Sequence, residues 1–190
     1  MSDTPAVPAG ESAASETTMG LPEWTVLAVI SEQPIHGFAV AQLTTPEGDL
    51  GRVWQIPRPI IYRAIRRLAA AGLIDPQGTE RGQGPQRTIY AASGDGRRAV
   101  GAWLDTPVEH VRDIRSHLLL KLALRHRQGA DPASLIRRQR EVLAPIAAAV
   151  DAETPRDDGF DATLLAWRRA SASAAIAFLD DITVHQSTAR

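Results

Sequence analysis

Five arginines and no carboxylate occupy the segment from Gly51 to Ile74, GRVWQIPRPIIYRAIRRLAAAGLI. Guanidinium groups bind phosphate oxygens and can hold the O6 and N7 atoms of guanine with two hydrogen bonds. The apolar residues of the segment recur at intervals of three and four, which predicts a helix with one buried stripe and a cationic face. Such a helix suits the major groove of DNA, and a solvated basic face on an ordinary helix is the plain alternative. The stripe consists of Ile61, Ala64, Ile65 and Leu68.

The polar side chains of this helix have different expected roles. A proline in the first turn places Arg58 at the helix entry, close to the DNA backbone. Arg63 is our candidate for reading a base edge. Tyr62 either presents its hydroxyl to a phosphate while its ring rests on the scaffold, or it is a buried packing residue. Arg66 and Arg67 are expected to contact phosphates and so to position the protein.

A β-hairpin is predicted after this helix. Asp75 to Gln86 is rich in glycine, proline and polar residues, and Arg87 to Tyr90 alternates as a short strand does. Arg81 and Arg87 would make this hairpin a basic wing. A cationic helix followed by a wing forms the DNA-contacting part of a winged helix-turn-helix, so both arginines are predicted to bind DNA.

Two further helices are predicted ahead of the cationic one. The first runs from Leu21 to Glu32 and is ended by Gln33-Pro34. The second runs from Gly37 to Thr44, with Phe38 among the residues on its buried side. His36 is expected to satisfy a backbone group at the start of the second helix.

A set of short motifs follows the order and spacing of a known family. The motifs are Leu21-Pro-Glu-Trp-Thr-Val-Leu27, Ile35-His-Gly-Phe38, Gly51-Arg-Val-Trp-Gln-Ile-Pro-Arg58, Tyr62, Leu68, Gly72-Leu-Ile74, Pro85-Gln-Arg87 and Tyr90. From about residue 21 to residue 96 the chain thereby resembles the PadR-type transcriptional regulators, and a weaker similarity continues over residues 111–122. The resemblance implies a homodimeric DNA-binding regulator, often a repressor, released by a small aromatic or drug-like ligand. At Pro59-Ile60-Ile61 the chain departs from the small polar residue that the family usually has before its helix tyrosine.

The charge of the chain is concentrated in one segment. The 190 residues carry a formal net charge of −1, yet residues 51–100 hold nine arginines against three carboxylates. A cationic segment on a nearly neutral protein favours a localised nucleic-acid face. The absence of cysteine excludes disulfides and thiolate metal sites. The sequence shows neither a signal peptide nor a membrane-spanning apolar run, so a cytoplasmic location is expected.

The C-terminal half is predicted to be helical throughout. Ser93 is expected to cap a helix that ends near Asp105, and a second helix is expected from Pro107 to Arg127. A glycine at 129 ends it, and Asp131 followed by proline opens the next helix. The last helix is predicted from Phe160 to about Val184.

Two of these helices carry apolar stripes that are wide for a chain of this size. In the first of them, apolar residues keep a seven-residue interval, although Gln139 interrupts the series and Pro145 should kink the helix. Stripes of this width need a large partner surface, so a homodimer is expected and a monomeric bundle is the alternative. The predicted dimerisation residues are Leu135, Val142, Ile146, Phe160, Leu164, Trp167, Ala174 and Phe178.

The predicted fold class is mainly α: a disordered tail at residues 1–20, a winged helix-turn-helix at 21–96 and a helical linker and dimerisation region at 97–190. No phosphate-binding glycine loop, nucleophile elbow or catalytic histidine spacing is found, so neither an enzyme nor a cofactor is expected. A metal site is not expected either. The expected partners are double-stranded DNA with a palindromic operator, a second copy of the chain and a small-molecule effector, with no membrane. The alternative function is a protein-interaction module whose arginines meet an acidic partner.

Overall fold

The computed structural model describes residues 19–80 and 86–188. Its N-terminal elements are the helices α1 (Leu21–Glu32), α2 (Gly37–Leu43) and α3 (Arg58–Ala70) and the strands β1 (Ile35–His36), β2 (Ile74–Glu80) and β3 (Arg87–Ala92). The C-terminal helices are α4 (Gly94–Asp105), α5 (Leu119–Arg127), α6 (Ala133–Ala152) and α7 (Phe160–Thr188). The predicted winged helix-turn-helix and the mainly α fold class are confirmed. Most of the expected N-terminal tail, and the wing residue Arg81, lie outside the described residues.

Helix α1 is the centre of the N-terminal core. All residues from Val26 to Ile30 are buried, because α3, α4 and β3 pack around the helix. The four apolar residues predicted for the stripe of α3 are at most 3% exposed. Burial of a large aliphatic side chain contributes about 1.5–3 kcal/mol, so this packing fixes which face of α3 meets the solvent.

The wing is a three-stranded antiparallel sheet with the order β1-β3-β2. Strand β2 pairs with β3 from Ile74, opposite Ala92, to Glu80, opposite Arg87, with an irregularity between Pro76 and Gly78. Residues 75–80 of the glycine- and proline-rich stretch thus form most of β2, the first of the two strands predicted for the hairpin. Proline is tolerated because β2 lies at the edge of this sheet, where one row of N–H groups needs no partner. Strand β1, with only two residues, was not predicted.

Turns at both ends of the α3 to α4 segment depend on local backbone and side-chain chemistry. Gly72 has a φ of 68°, which glycine adopts without strain, and it turns the chain from α3 into β2. The Ser93 hydroxyl accepts a hydrogen bond from the Gly96 amide at 3.0 Å, which confirms the expected cap of α4.

The predicted helix from Pro107 to Arg127 is wrong over its first half. Residues Val111–Asp113 form a 3-10 turn and Ile114–Leu118 a π-helical turn before α5 begins. Gln139 of α6 is fully buried and holds the preceding backbone. Its side-chain oxygen accepts from the Val108 amide at 2.7 Å, and its side-chain nitrogen donates to the Val108 carbonyl at 2.8 Å. These two hydrogen bonds take the place of those that the backbone of Val108 would make within a helix.

Helices α6 and α7 pack side by side over a second hydrophobic cluster, which includes Leu143 and Leu179. Helix α6 begins one residue later than predicted, with Pro132 rather than Asp131 at its N-cap, and the Ala133 amide donates to the Asp131 carboxylate at 2.9 Å. Helix α6 continues through Pro145. Within residues 19–80 and 86–188, no helix has both the length and the apolar composition required to cross a membrane.

Aromatic stacking joins α4 and α5 to the N-terminal elements. The rings of Trp24 and Trp103 stack with centroids 5.3 Å apart and planes 3° from parallel. The Nζ atom of Lys121 lies 4.9 Å from the Trp103 ring centroid and donates to the Thr106 carbonyl at 2.5 Å. Burial, together with the nearby charge of Arg125, lowers the pKa of Lys121 to about 8. The only lysine of the chain is thus part of the core rather than of a charged surface.

Candidate nucleic-acid interface

The segment between α2 and α3 determines where α3 begins. The Thr44 hydroxyl donates to the carbonyls of Ala41 at 3.1 Å and Ile56 at 3.2 Å, and Ile56 is buried. Pro59 occupies the first turn of α3, as predicted, and its fixed φ suits that position. Arg58 consequently stands at the exposed entry of the helix.

The solvent-facing side of α3 carries arginines and no carboxylate. Arg58, Arg63 and Arg66 are all exposed there. Within the described part of the chain, Arg63 and Arg66 make neither a hydrogen bond nor an ion pair. Their positive charges are therefore uncompensated and accessible to phosphate groups.

Arg67 differs from its neighbours because a carboxylate holds it. Its Nη1 atom donates to Oε1 of Glu23 on α1 at 2.7 Å, and Glu23 is only 5% exposed. The second carboxylate oxygen accepts from the Gly20 amide at 3.1 Å. Glu23 compensates the charge of Arg67, so this arginine connects α3 to α1 and its charge is less available to a phosphate than that of Arg66.

Tyr62 lies where α2 and α3 approach most closely. A Cβ atom on Gly37 would lie 2.7 Å from Cδ1 of Ile65 and 3.0 Å from Cε1 of Tyr62, so a larger residue here would require the Ile65 side chain to shift. The Tyr62 side chain is 42% exposed, which matches the ring resting on the scaffold rather than the buried alternative. A cleft of about 400 Å³ opens beside it and is also lined by Arg66 and Arg87.

Phe38 connects the entry of α3 with the start of β3 in the wing. It lies outside the N-terminal core cluster, which corrects its expected place on the buried side of α2. The Cζ atoms of Arg58 and Arg87 lie 5.0 Å and 4.4 Å from the centroid of its ring. Arg58 also donates to the side-chain oxygen of Gln42 at 3.0 Å, and Nη1 of Arg87 lies 3.4 Å from Nε2 of His36. The fold therefore brings together two predicted DNA-binding arginines that are distant in the sequence.

His36 performs the role expected of it. Its Nδ1 atom accepts a hydrogen bond from the Ala39 amide at 3.0 Å and so caps α2. Its Nε2 atom faces the Glu80 carboxylate of β2 at 3.6 Å. One imidazole thus contacts both the second helix and the wing.

The predicted dimerisation residues fall into two groups. Leu135 is fully buried within the chain, Ile146 and Phe178 pack against the second hydrophobic cluster, and Val142 is partly buried. The remaining four are exposed on α7: Phe160, Leu164, Trp167 and Ala174. Phe160 is 78% exposed and Trp167 70% exposed. One side of α7 therefore presents large apolar groups that residues 19–80 and 86–188 leave uncovered.

An exposed cationic helix packed beside a β-hairpin wing defines the winged helix-turn-helix class of DNA-binding proteins. Residues 26–102 match the model of the Transcriptional regulator PadR-like family. Over this region the chain is similar to the PadR-like family of transcriptional regulators, and the resemblance seen in the sequence is confirmed. No curated protein gives a significant match to the chain.

Three solved structures match the chain at low sequence identity. Bacillus subtilis PadR in complex with operator DNA is 16% identical over 85% of this chain and 97% of that chain, with a TM-score of 0.43. Bacillus subtilis PadR in complex with p-coumaric acid is 15% identical over 87% and 98% of the two chains, with a TM-score of 0.40. A PadR-like transcriptional regulator from Bacillus cereus is 18% identical over 89% and 99%, with a TM-score of 0.38.

The two adjacent arginines of α3 should affect stability differently. Arg67→Ala leaves the buried Glu23 carboxylate without its cation, so the free energy of unfolding should fall by about 1–3 kcal/mol. Arg66→Ala removes an exposed side chain and should change it by less than about 0.5 kcal/mol. Urea denaturation of both variants measures the difference. Equal stability of the two variants would contradict the structural role given to Arg67.

Proposed function

We propose that the chain is a transcriptional repressor that binds a palindromic operator as a homodimer. Helix α3 of each copy enters the major groove, and the wing lies along the neighbouring backbone. The observation that carries this proposal is the acid-free, exposed face of α3 beside the wing residue Arg87. The charges of this face are available because, among the described residues, only Arg67 of α3 forms an ion pair with a buried carboxylate, that of Glu23.

The side chains of this surface divide into positioning and reading groups. Arg66 and Arg87 line one cleft between α3 and the wing, where a phosphate of the backbone fits. Arg63 lies on the exposed face of α3 without a partner among the described residues, so its guanidinium is free to reach a guanine edge. Tyr62 contributes its hydroxyl near the same cleft.

Phosphate contacts and base contacts respond differently to mutation. Arg66→Ala should weaken binding to all duplexes alike and lower the salt dependence of the binding constant by about one counterion. Arg63→Ala should instead cost about 1–3 kcal/mol on the preferred site alone, because a base contact discriminates only where its base is present. Fluorescence anisotropy on a site selected from random DNA, and on a scrambled duplex, measures both effects.

Arg137→Ala is the matched control, since Arg137 is exposed on α6 and should leave DNA binding unchanged. If the wild-type protein bound no duplex at low salt, or bound with an affinity indifferent to salt, the repressor proposal would fail. The arginines would then be assigned to an acidic protein partner.

The homodimer is proposed to form through the exposed stripe of α7. Phe160, Leu164 and Trp167 recur at helical spacing, and a second copy of the same stripe is a partner of matching chemistry. An isologous pairing buries each stripe against its equivalent. It would also place two copies of α3 on one duplex, as a palindromic operator requires.

Charge introduced into this stripe should dissociate the dimer. Leu164→Glu combined with Trp167→Glu places carboxylates that would be buried without partners, so the double variant should be monomeric. Ser173→Glu adds one such carboxylate on another exposed side of α7 and should leave the dimer intact. Light scattering on all three proteins measures the mass. A wild-type protein that is monomeric at every concentration would rule out this interface.

A small aromatic effector is proposed to bind the groove beside Trp167. This groove, of about 580 Å³, lies between the Val111–Asp113 turn, α6 and α7, and its walls include Ile146 and Phe178. Because Trp167 belongs to both the groove and the exposed stripe, a bound ligand would alter the surface that pairs the two copies. Aromatic carboxylates and planar aromatic amines should quench tryptophan fluorescence and weaken operator binding together. Quenching that leaves operator affinity unchanged would count against an effector role.

A further inference from the structure

We propose that Phe38 is a positioning residue of the DNA-binding surface. Its ring orders Arg58 at the entry of α3 and Arg87 at the start of β3 in the wing, so that both guanidinium groups are prepared for the phosphate backbone. This inference rests on the proposed DNA-binding function and adds to it a residue that contacts the binding arginines.

The surroundings of Phe38 distinguish it from a packing residue. The side chain is only half-buried, and it is not part of the N-terminal core cluster that covers α1 and α3. Its ring instead has two cations near it, the guanidinium groups of Arg58 at 5.0 Å and Arg87 at 4.4 Å. The ring of His36 is its aromatic neighbour, with centroids 6.2 Å apart.

Both arginines have polar contacts other than carboxylates. Arg58 donates to the amide oxygen of Gln42, and Arg87 lies beside the imidazole of His36. Within residues 19–80 and 86–188, neither guanidinium forms an ion pair with a carboxylate. The two arginines of this cluster are thus oriented while their full charge is retained.

The difference between a ring and a carboxylate explains why this arrangement suits phosphate binding. A carboxylate occupies the N–H groups of an arginine and compensates its charge, as Glu23 does for Arg67. An aromatic ring attracts the cation through its π face and takes up none of the N–H hydrogen bonds. An arginine held by a ring can therefore still donate several hydrogen bonds to a phosphate.

The arrangement should also reduce the conformational entropy that the arginine side chains lose when they bind DNA. A free arginine side chain has many rotamers, which binding to a fixed phosphate must restrict. Phe38 holds two such side chains from one position on α2, although Arg58 belongs to α3 and Arg87 to β3. The wing and the recognition helix are therefore coupled through a single ring.

Substitution of the ring tests the proposal in the full-length protein. Phe38→Leu keeps an apolar side chain but removes the π face, and it should weaken binding to a fluorescein-labelled duplex of mixed sequence by about three- to tenfold. Phe38→Tyr keeps the face and should bind within about twofold of wild type. Since Phe38→Leu retains both arginines, the salt dependence should stay unchanged, whereas Arg58→Ala or Arg87→Ala should lower it by about one counterion.

A coupling measurement separates positioning from a general loss of structure. In a protein that already carries Arg58→Ala and Arg87→Ala, Phe38→Leu should cause no further loss of affinity, because its effect acts through those side chains. An equal loss in both backgrounds, or no loss in the wild-type background, would overturn the inference. Thermal unfolding of each variant monitors the fold.

The free protein provides a second readout that needs no DNA. The Nε–H resonances of Arg58 and Arg87 should be shifted upfield by the ring current of Phe38, and Phe38→Leu should remove those shifts. Their absence in the wild type would overturn the inference while leaving the proposed function in place. Failure of the wild type to bind any duplex would instead overturn the proposed function, and this inference with it.

Discussion

Burial of one stripe of α3 against α1 is the interaction on which the functional surface depends. The stripe is almost inaccessible to solvent, and α1 is buried in turn by the elements around it. Because a helix is rigid about its axis, fixing one face also fixes the other, so Arg58, Arg63 and Arg66 must point outward. The apolar packing that stabilises the domain thereby also exposes its cationic groups.

The arginines of the interface are held in ways that suit different roles. Arg67 is paired with Glu23 and contributes to the attachment of α3 to α1. Arg63 and Arg66 have no partner within the described residues and keep their full charge. Arg58 faces an aromatic ring, which restricts its orientation and leaves its charge in place. These four arginines are chemically alike but are held differently. One is in an ion pair, one is oriented by an aromatic ring, and two are unpaired among the described residues.

The two halves of the chain are connected by more than their covalent link. Val100 and Leu104 of α4 and Leu120 and Leu124 of α5 belong to the N-terminal core cluster. Arg127 of α5 donates to the carboxylate of Glu32 on α1, at 2.8 Å from Nη2, and to that of Asp49 at 2.9 Å. The hydrogen bond to Glu32 raises the pKa of Arg127, which remains charged. Since Asp49 lies in the segment before α3, one ion-pair network joins α5 to the segment that leads into the recognition helix.

The sequence by itself determined the helices except in the segment before α5, the hairpin of the wing and the outward direction of the basic face. Those features depend on residues within one helical turn or one strand pair, so spacing and cap residues such as Ser93 predict them. Only the tertiary structure decided the partner of each side chain, because those contacts join distant segments. Glu23 lies 44 residues before Arg67, and no local pattern could assign Phe38 to two arginines or Gln139 to the backbone of Val108.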